Sequence, residues 1–294
     1  MTPSSSSSPD HPVDIHALVR STTERFIDDH RTTGDGDLGC ALVRTAGQLA
    51  EDIRCGGLTI EYKTSISDVV TEADKAAEYF VATALTELRP NDGLLGEEGA
   101  AAPPRSGRTW VIDPVDGTYN FTSGSDYWCS ALALVEGDPA DPDEILVGAV
   151  HRPIPGITWL KKPGSPTLRN GQPVAHPLAE RPADAVSVGT YLHPSRMGND
   201  RIRLPWLAVV EDFACLRMAG AASVDLAGIS EGRIGGWLQH SVHDWDWLPG
   251  RALVEGAGGR TAEKTVGPVT WKLAGNARTV EDMLAAFDDY LAGS

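Results

Sequence analysis

The stretch WVIDPVDGTYNF, residues 110–121, constrains this chain more than any other. Trp110, Val111 and Ile112 form a short apolar, β-branched run of the kind that fills a buried strand. The run leads directly into Asp113, then Pro114 and Val115, and a second carboxylate, Asp116. A carboxylate at the end of a buried strand costs free energy unless it is paired. Two of them side by side repel, and one is driven towards protonation unless a cation intervenes. The fold must therefore bring this strand end to a surface turn, or hold something positive there.

Three further acidic groups sit beside structural punctuation: Asp68, Glu72 and Asp74 in SDVVTEAD, Glu97 and Glu98 in LGEEG, and Asp244 and Asp246 in HDWDW. Each has an ordinary reading alone, because acidic residues in a first helical turn favour the macrodipole and need no ligand. Together with Asp113 and Asp116 they resemble a hard-metal centre, since oxygen-only ligands select Mg²⁺, Ca²⁺ or Mn²⁺ over zinc or copper. Gly117 and Thr118 follow at an expected helix start, where backbone N–H groups form an anion site. A metal cluster facing such a site suits phosphoester hydrolysis.

The remaining chain supplies a scaffold. Helices are expected over DIHALVRSTTERFIDDH, over LGCALVRTAGQLAEDI with Val43, Ala46, Ala50 and Ile53 on one face, and over EADKAAEYFVATALTELRP. In the last, Ala73, Ala76, Ala77, Phe80, Ala84 and Leu88 line a face, Pro90 stops the helix, and Thr71 with Asp74 forms a capping box. CSALALVEG, ILVGAVH and GITWLKK read as successive strands, with GDPADPDE as an acidic hairpin loop. After a Pro- and Gly-rich connection at 164–184 come a strand at AVSVGTYL, a segment LAVVEDF compatible with helix or strand, a helix at AGAASVDLAGISEG, a strand at IGGWLQ, a helix at WDWLPGRALVEGAGG and a final helix at EDMLAAFDDYLAG. This order predicts an α+β subdomain at 14–180 packed on an α/β subdomain at 181–294, after a Ser- and Pro-rich disordered tail at 1–13.

A net charge of −16 disfavours nucleic acid and anionic membrane as partners. No apolar stretch approaches a membrane span, and the N-terminal residues lack the basic and apolar regions of a secretory signal, so a cytoplasmic protein is expected. Cys40, Cys55, Cys129 and Cys215 form no CxxC pair and read as buried, reduced thiols.

At these acidic motifs the chain resembles the inositol monophosphatase family of Mg²⁺-dependent, lithium-sensitive phosphatases. DVVTEAD, GEEG, WVIDPVDGTYNF and WDWLPGRALVEGAGG occur in the family's order, joined by RMAGAASVD and LRNGQPV, over roughly residues 37–275. The resemblance implies a layered α-β-α-β-α sandwich of the inositol monophosphatase and fructose-1,6-bisphosphatase type, usually a homodimer. It implies two to three Mg²⁺ ions, with Mn²⁺ as a substitute. Glu97, Asp113 and the Val115 carbonyl would hold the first, Asp113, Asp116 and Asp246 the second, and Glu97 with Asp74 a weaker third. Asp74 and Thr118 would orient and deprotonate the attacking water, the amides of Gly117 and Thr118 would grip the phosphate, and Glu98 would support the site. Gly220, Ala221, Ala222, Gln239 and Asp116 would meet the organic part of a small phosphorylated metabolite, inositol 1-phosphate being the leading substrate. Animal inositol monophosphatases place a glutamate where this chain has Gln239, followed by His240, which keeps a histidinol-phosphate phosphatase or another sugar or nucleotide phosphatase open. Trp110, Trp245 and Trp247 are expected around the site walls. GISEG matches a G-x-S-x-G nucleophile elbow at Ser230, with His240, His243 and Asp246 downstream, but a helical run precedes it where an elbow needs a strand.

Overall fold

The computed structural model describes residues 14–57, 60–62 and 69–293; the expected tail at 1–13 and Asp68 lie outside the described residues. Helices α1 (Ile15–His30) and α2 (Asp35–Gly56) open the chain, followed by strands β1 (Ile60–Tyr62) and β2 (Val69–Thr71) and helix α3 (Glu72–Leu88). Strands β3 (Gly93–Gly96), β4 (Ala101–Ala102) and β5 (Arg108–Asp116) lead to the short α4 (Thr118–Thr122). Strands β6 (Cys129–Asp138), β7 (Asp141–Arg152), β8 (Ile157–Lys161), β9 (Leu168–Arg169) and β10 (Gln172–Pro173) complete an eight-stranded sheet in the order β10-β9-β8-β7-β6-β5-β3-β4. Strand β11 (Ser187–Thr190), α5 (Asp200–Val210), β12 (Cys215–Arg217), α6 (Ala222–Ser230), β13 (Gly236–His240), α7 (Asp244–Gly256), β14 (Arg260–Val266), β15 (Val269–Gly275) and α8 (Ala277–Gly293) follow. Their strands form a five-stranded sheet in the order β12-β11-β13-β15-β14.

The layers follow from which faces are apolar. Phe26, Leu42, Phe80 and Leu85 of α1–α3 pack with Trp110, Ile112 and Leu132 on one face of the larger sheet. Leu226, Trp247, Leu248 and Val254 of α6 and α7 fill the space between that sheet and Trp237 and Ala274 of the smaller one. Trp206, Val209, Val280 and Phe287 of α5 and α8 cover the smaller sheet's outer face. The result is the expected α-β-α-β-α sandwich.

Local expectations are met where periodicity was strong. Thr71 caps α3 with the reciprocal capping box to Asp74. The LAVV of LAVVEDF settles as the last turn of α5, and Glu211 caps it. The supposed acidic loop is shorter than its composition suggests: β6 and β7 pair up to Asp138 and Asp141, leaving a tight turn. The connection at 164–184 contains the short strands β9 and β10, with β10 at the edge of the larger sheet. Cys129 is buried and Cys40 half-buried, but Cys55 and Cys215 are exposed, so the reading of four buried thiols fails at two positions.

Candidate metal centre

Strand β5 crosses the core and delivers Asp113 and Asp116 to one spot. Its pairing with β6 is regular as far as Asp113 and then shifts register before Asp116. Pro114 donates no N–H, so a ladder bond is missing where the shift occurs. The irregularity places both carboxylates on the same side of the strand end. Asp246 joins them from the first turn of α7, and one oxygen from each of the three lies within 4.8 Å of the others. Asp244 is not part of the trio; it lies 3.6 Å from Lys272 Nζ.

The electrostatics are unbalanced by protein groups alone. Asp113 is fully buried. Its Oδ1 accepts from the Val115 amide at 3.1 Å, while its Oδ2 has no hydrogen-bond donor. Burial pushes the Asp113 carboxyl well above the usual range, and the charges of Glu97, Asp116, Asp246 and Asp74 push it further. Asp116 is raised to about 6 by burial, opposed by the amides of Ser223 and Ala222, which lie 2.5 Å and 3.2 Å from its oxygens. Asp246 is raised to about 7 by burial and then by Asp116, with Lys272 pulling the other way. An unpaired buried oxygen, hard oxygen donors and mutual repulsion all fit a divalent cation.

A second group adjoins the trio. Thr118 Oγ1 lies 3.1 Å from Asp74 Oδ1 and 3.0 Å from the Val115 carbonyl. Asp74 Oδ2 accepts from the Thr71 amide at 3.0 Å and from the Thr71 hydroxyl. Burial raises Asp74 to about 6 against the hydrogen bonds of Thr71. Gly117 caps α4 with φ +92°, and a Cβ there would lie 3.0 Å from Ala221 Cβ. Only glycine satisfies both the left-handed backbone and this close approach. The loop at 220–222 is thereby drawn against the start of α4.

Glu97 and Glu98 occupy the turn after β3, where the Glu97 amide donates to the Ile112 carbonyl at 3.2 Å. Gln239 stands at the C-terminal end of β13. Trp247 stacks on Trp237 beneath α7, but Trp110 belongs elsewhere: its indole N–H donates to Asp92 at 3.0 Å, within a network joining Arg108, Asp35 and Arg89. Ser230 is buried at the C-terminus of α6, and its hydroxyl donates to the Ala227 carbonyl at 2.7 Å, which removes the nucleophile-elbow reading.

Sequence reasoning missed several supports. Glu78, one helical turn after Asp74, is buried, and its carboxylate accepts from the amides of Glu98 and Ala100 at 2.8 Å and 2.7 Å. Its signal was a charge set among Ala77, Phe80 and Val81 on the apolar face. Asn120 donates to the carbonyls of Tyr127 and Ala219, both at 2.8 Å, tying α4 to the loop before α6. The Tyr127 hydroxyl donates to buried Asp225 at 2.5 Å and so ties α6 to the segment before β6. A groove of about 880 Å³ between α1 and α3 lies on the face of α3 opposite Asp74 and Glu78.

The fold and the acidic trio define a class of metal-assisted phosphatases, and the chain belongs to the inositol monophosphatase family, whose profile matches residues 36–284. It is 34% identical over 208 residues to the inositol-1-monophosphatase ImpA of Mycolicibacterium smegmatis, covering 69% of this chain and 73% of that protein. It is 28% identical over 229 residues to a fructose-1,6-bisphosphatase/inositol-1-monophosphatase of Thermotoga maritima, covering 77% and 84% respectively. The crystal structure of the extragenic suppressor protein suhB from Bartonella henselae superposes with a TM-score of 0.74 at 24% identity, covering 84% of this chain and 95% of that one, a likeness of fold. The chain is therefore a phosphatase, and no described helix is long and apolar enough to cross a membrane.

Proposed function

We propose that this phosphatase hydrolyses inositol 1-phosphate, or a closely similar polyol phosphate, to the alcohol and inorganic phosphate with Mg²⁺ as cofactor. The observation that carries this reading is the Asp113–Asp116–Asp246 trio, its first two carboxylates buried and the third partly so, beside the Asp74–Thr118 pair. Glu97, Asp113 and the Val115 carbonyl would hold one ion, Asp113, Asp116 and Asp246 a second, and Glu97 with Asp74 a weaker third. Mg²⁺ or Mn²⁺, when bound, neutralises the phosphoryl oxygens and acidifies coordinated water. The amides of Gly117 and Thr118 hold the phosphate. Thr118 and Asp74 orient the attacking water, and Asp74 accepts its proton. Without metal, burial raises the Asp74 carboxyl to about 6, so it is largely ionised at neutral pH and free to accept a proton. The water oxygen bonds to phosphorus in line as its proton passes to Asp74, the bond to the ester oxygen breaks, and the departing alkoxide takes a proton from solvent water. Gly220, Ala221, Ala222 and Gln239 face the alcohol; Gln239 hydrogen-bonds a polyol but offers no charge to an ammonium.

The test is phosphate release with Mg²⁺ from inositol 1-phosphate, histidinol phosphate and fructose 1,6-bisphosphate. Turnover of inositol 1-phosphate supports the reading. Turnover of histidinol phosphate alone replaces its substrate. Lithium sensitivity, a homodimer and a cytoplasmic setting belong to the same reading through the family; millimolar Li⁺ is expected to slow the Mg²⁺ reaction, and a flat titration counts against the second ion site. A subdomain boundary near residue 180 is part of the proposal too, supported by one sheet ending at Pro173 and the other beginning at Ser187.

A further inference from the structure

Asp116 stands on β5, but its carboxylate is held by another element. Its Oδ1 and Oδ2 accept from the amides of Ala222 and Ser223, at 3.2 Å and 2.5 Å, and the Cys129 thiol lies 3.9 Å from Oδ2. Those amides open α6, whose own N-cap, Ala221, has no capping side chain. Asp116 takes the place of that cap from 106 residues earlier in the chain. The direction in which Asp116 points therefore depends on where the first turn of α6 sits.

A strap fixes that turn. Asp225, also in the first turn of α6, is buried, and its Oδ1 accepts from the Tyr127 hydroxyl at 2.5 Å. Gly189 of β11 leaves room for the other oxygen: a Cβ there would lie 3.2 Å from Asp225 Oδ2. Tyr127 is anchored in turn. Asn120 of α4 donates to its carbonyl at 2.8 Å. The Arg152 guanidinium lies 5.0 Å from its ring centroid and donates to the neighbouring Asp126 carbonyl at 2.7 Å. One tyrosine thus joins α6 to α4, which carries Thr118, and to the end of β7. A buried carboxylate is a costly fastening, since an apolar pair of the same shape packs without desolvating a charge. What the hydrogen bond adds is a single defined orientation of the helix start.

We propose that Tyr127 and Asp225 are positioning residues for the cation centre: their hydrogen bond holds the first turn of α6 so that its amides keep Asp116 in its ligand orientation. This rests on the reading of the acidic trio as a cation centre, and it gives neither residue a contact with substrate or metal. Loss of the strap leaves every ligand in the chain but lets Asp116 turn with the helix start. The ion then binds less tightly, while the fully loaded enzyme still turns over. Groups that orient metal ligands in this way contribute about 10- to 100-fold in affinity.

The experiment measures Mg²⁺ binding to the full chain by calorimetric titration without substrate, alongside the Mg²⁺ dependence of phosphate release from inositol 1-phosphate. In Tyr127→Phe the Mg²⁺ dissociation constant is expected to rise roughly tenfold, with kcat at saturating Mg²⁺ within about threefold of wild type. Asp225→Asn keeps an acceptor for the Tyr127 hydroxyl, so its Mg²⁺ constant is expected to stay within about threefold of wild type. Thermal unfolding in EDTA checks that both variants are folded. A Mg²⁺ constant in Tyr127→Phe equal to that of the wild type overturns the inference while leaving the cation centre intact. An equal loss in Asp225→Asn also overturns it, because the effect then belongs to the buried charge and not to the strap. A wild type that binds no Mg²⁺ overturns both the inference and the cation-centre reading.

Discussion

Asp113 is the residue on which the site turns, because it is fully buried and one of its oxygens has no donor. Substituting Asp113→Asn removes a charge that the apo protein tolerates poorly and that a cation needs. Two opposite effects are therefore expected. Turnover falls at least about 100-fold, since a shared ligand is lost. In EDTA at neutral pH, however, the variant melts higher than the wild type, since repulsion with Asp116 and Asp246 is relieved. Steady-state assay and thermal unfolding check the pair; a lower melting temperature in EDTA contradicts the electrostatic account. Glu78 acts at one remove, through the amides of the turn that carries Glu97. Glu78→Gln retains one acceptor oxygen where two are needed, so the Mg²⁺ concentration for half-maximal activity is expected to rise roughly tenfold. An unchanged metal titration would show that the turn holds itself.

Each element contributes through its end. Strand β5 contributes a shifted register, α4 a glycine cap, and α7 a first turn laid against the larger sheet. Helix α7 can lie that close because Gly148 of β7 has no side chain: a Cβ there would sit 2.5 Å from Ala252 Cβ and 2.7 Å from the Pro249 carbonyl. Gly148→Ala should push α7 outward, cost about 1–3 kcal/mol of stability and weaken metal binding through Asp246; chemical denaturation and a Mg²⁺ titration read the two effects. The acidic motifs, α3 with its capping box and the long strands of the larger sheet were legible because each carries a strong local signal. Strands β14 and β15 were not: RTAEKTV is a half-exposed edge strand with mixed polarity, and VTWKLAG takes its place only by pairing with β13, some thirty residues earlier. Glu78 and Asn120 were illegible for a related reason. Their importance lies in which backbone groups they meet, and sequence spacing does not reveal that.

For the whole molecule, buried carboxylates make stability depend on pH and on metal. Asp74 and Asp116 are raised to about 6, Asp225 and Asp246 to about 7, and Asp113 well above the usual range. A carboxyl with a raised folded-state pKa binds more protons folded than unfolded, so its contribution is fully present below pH 4 or so and is lost as pH rises through its folded value. In EDTA the melting temperature attributable to these groups should therefore fall between about pH 4 and pH 7, and Mg²⁺ should restore most at the upper end. A metal-free protein whose stability rises steadily through that window would refute this balance. The central claim, that the acidic trio is the cation centre of a phosphomonoesterase, is tested most directly by phosphate release from inositol 1-phosphate after EDTA treatment and stepwise addition of Mg²⁺. The account predicts no release in EDTA and saturable recovery with Mg²⁺ in the wild type, with none in Asp113→Asn. Release that persists in EDTA, or full recovery in Asp113→Asn, would contradict it.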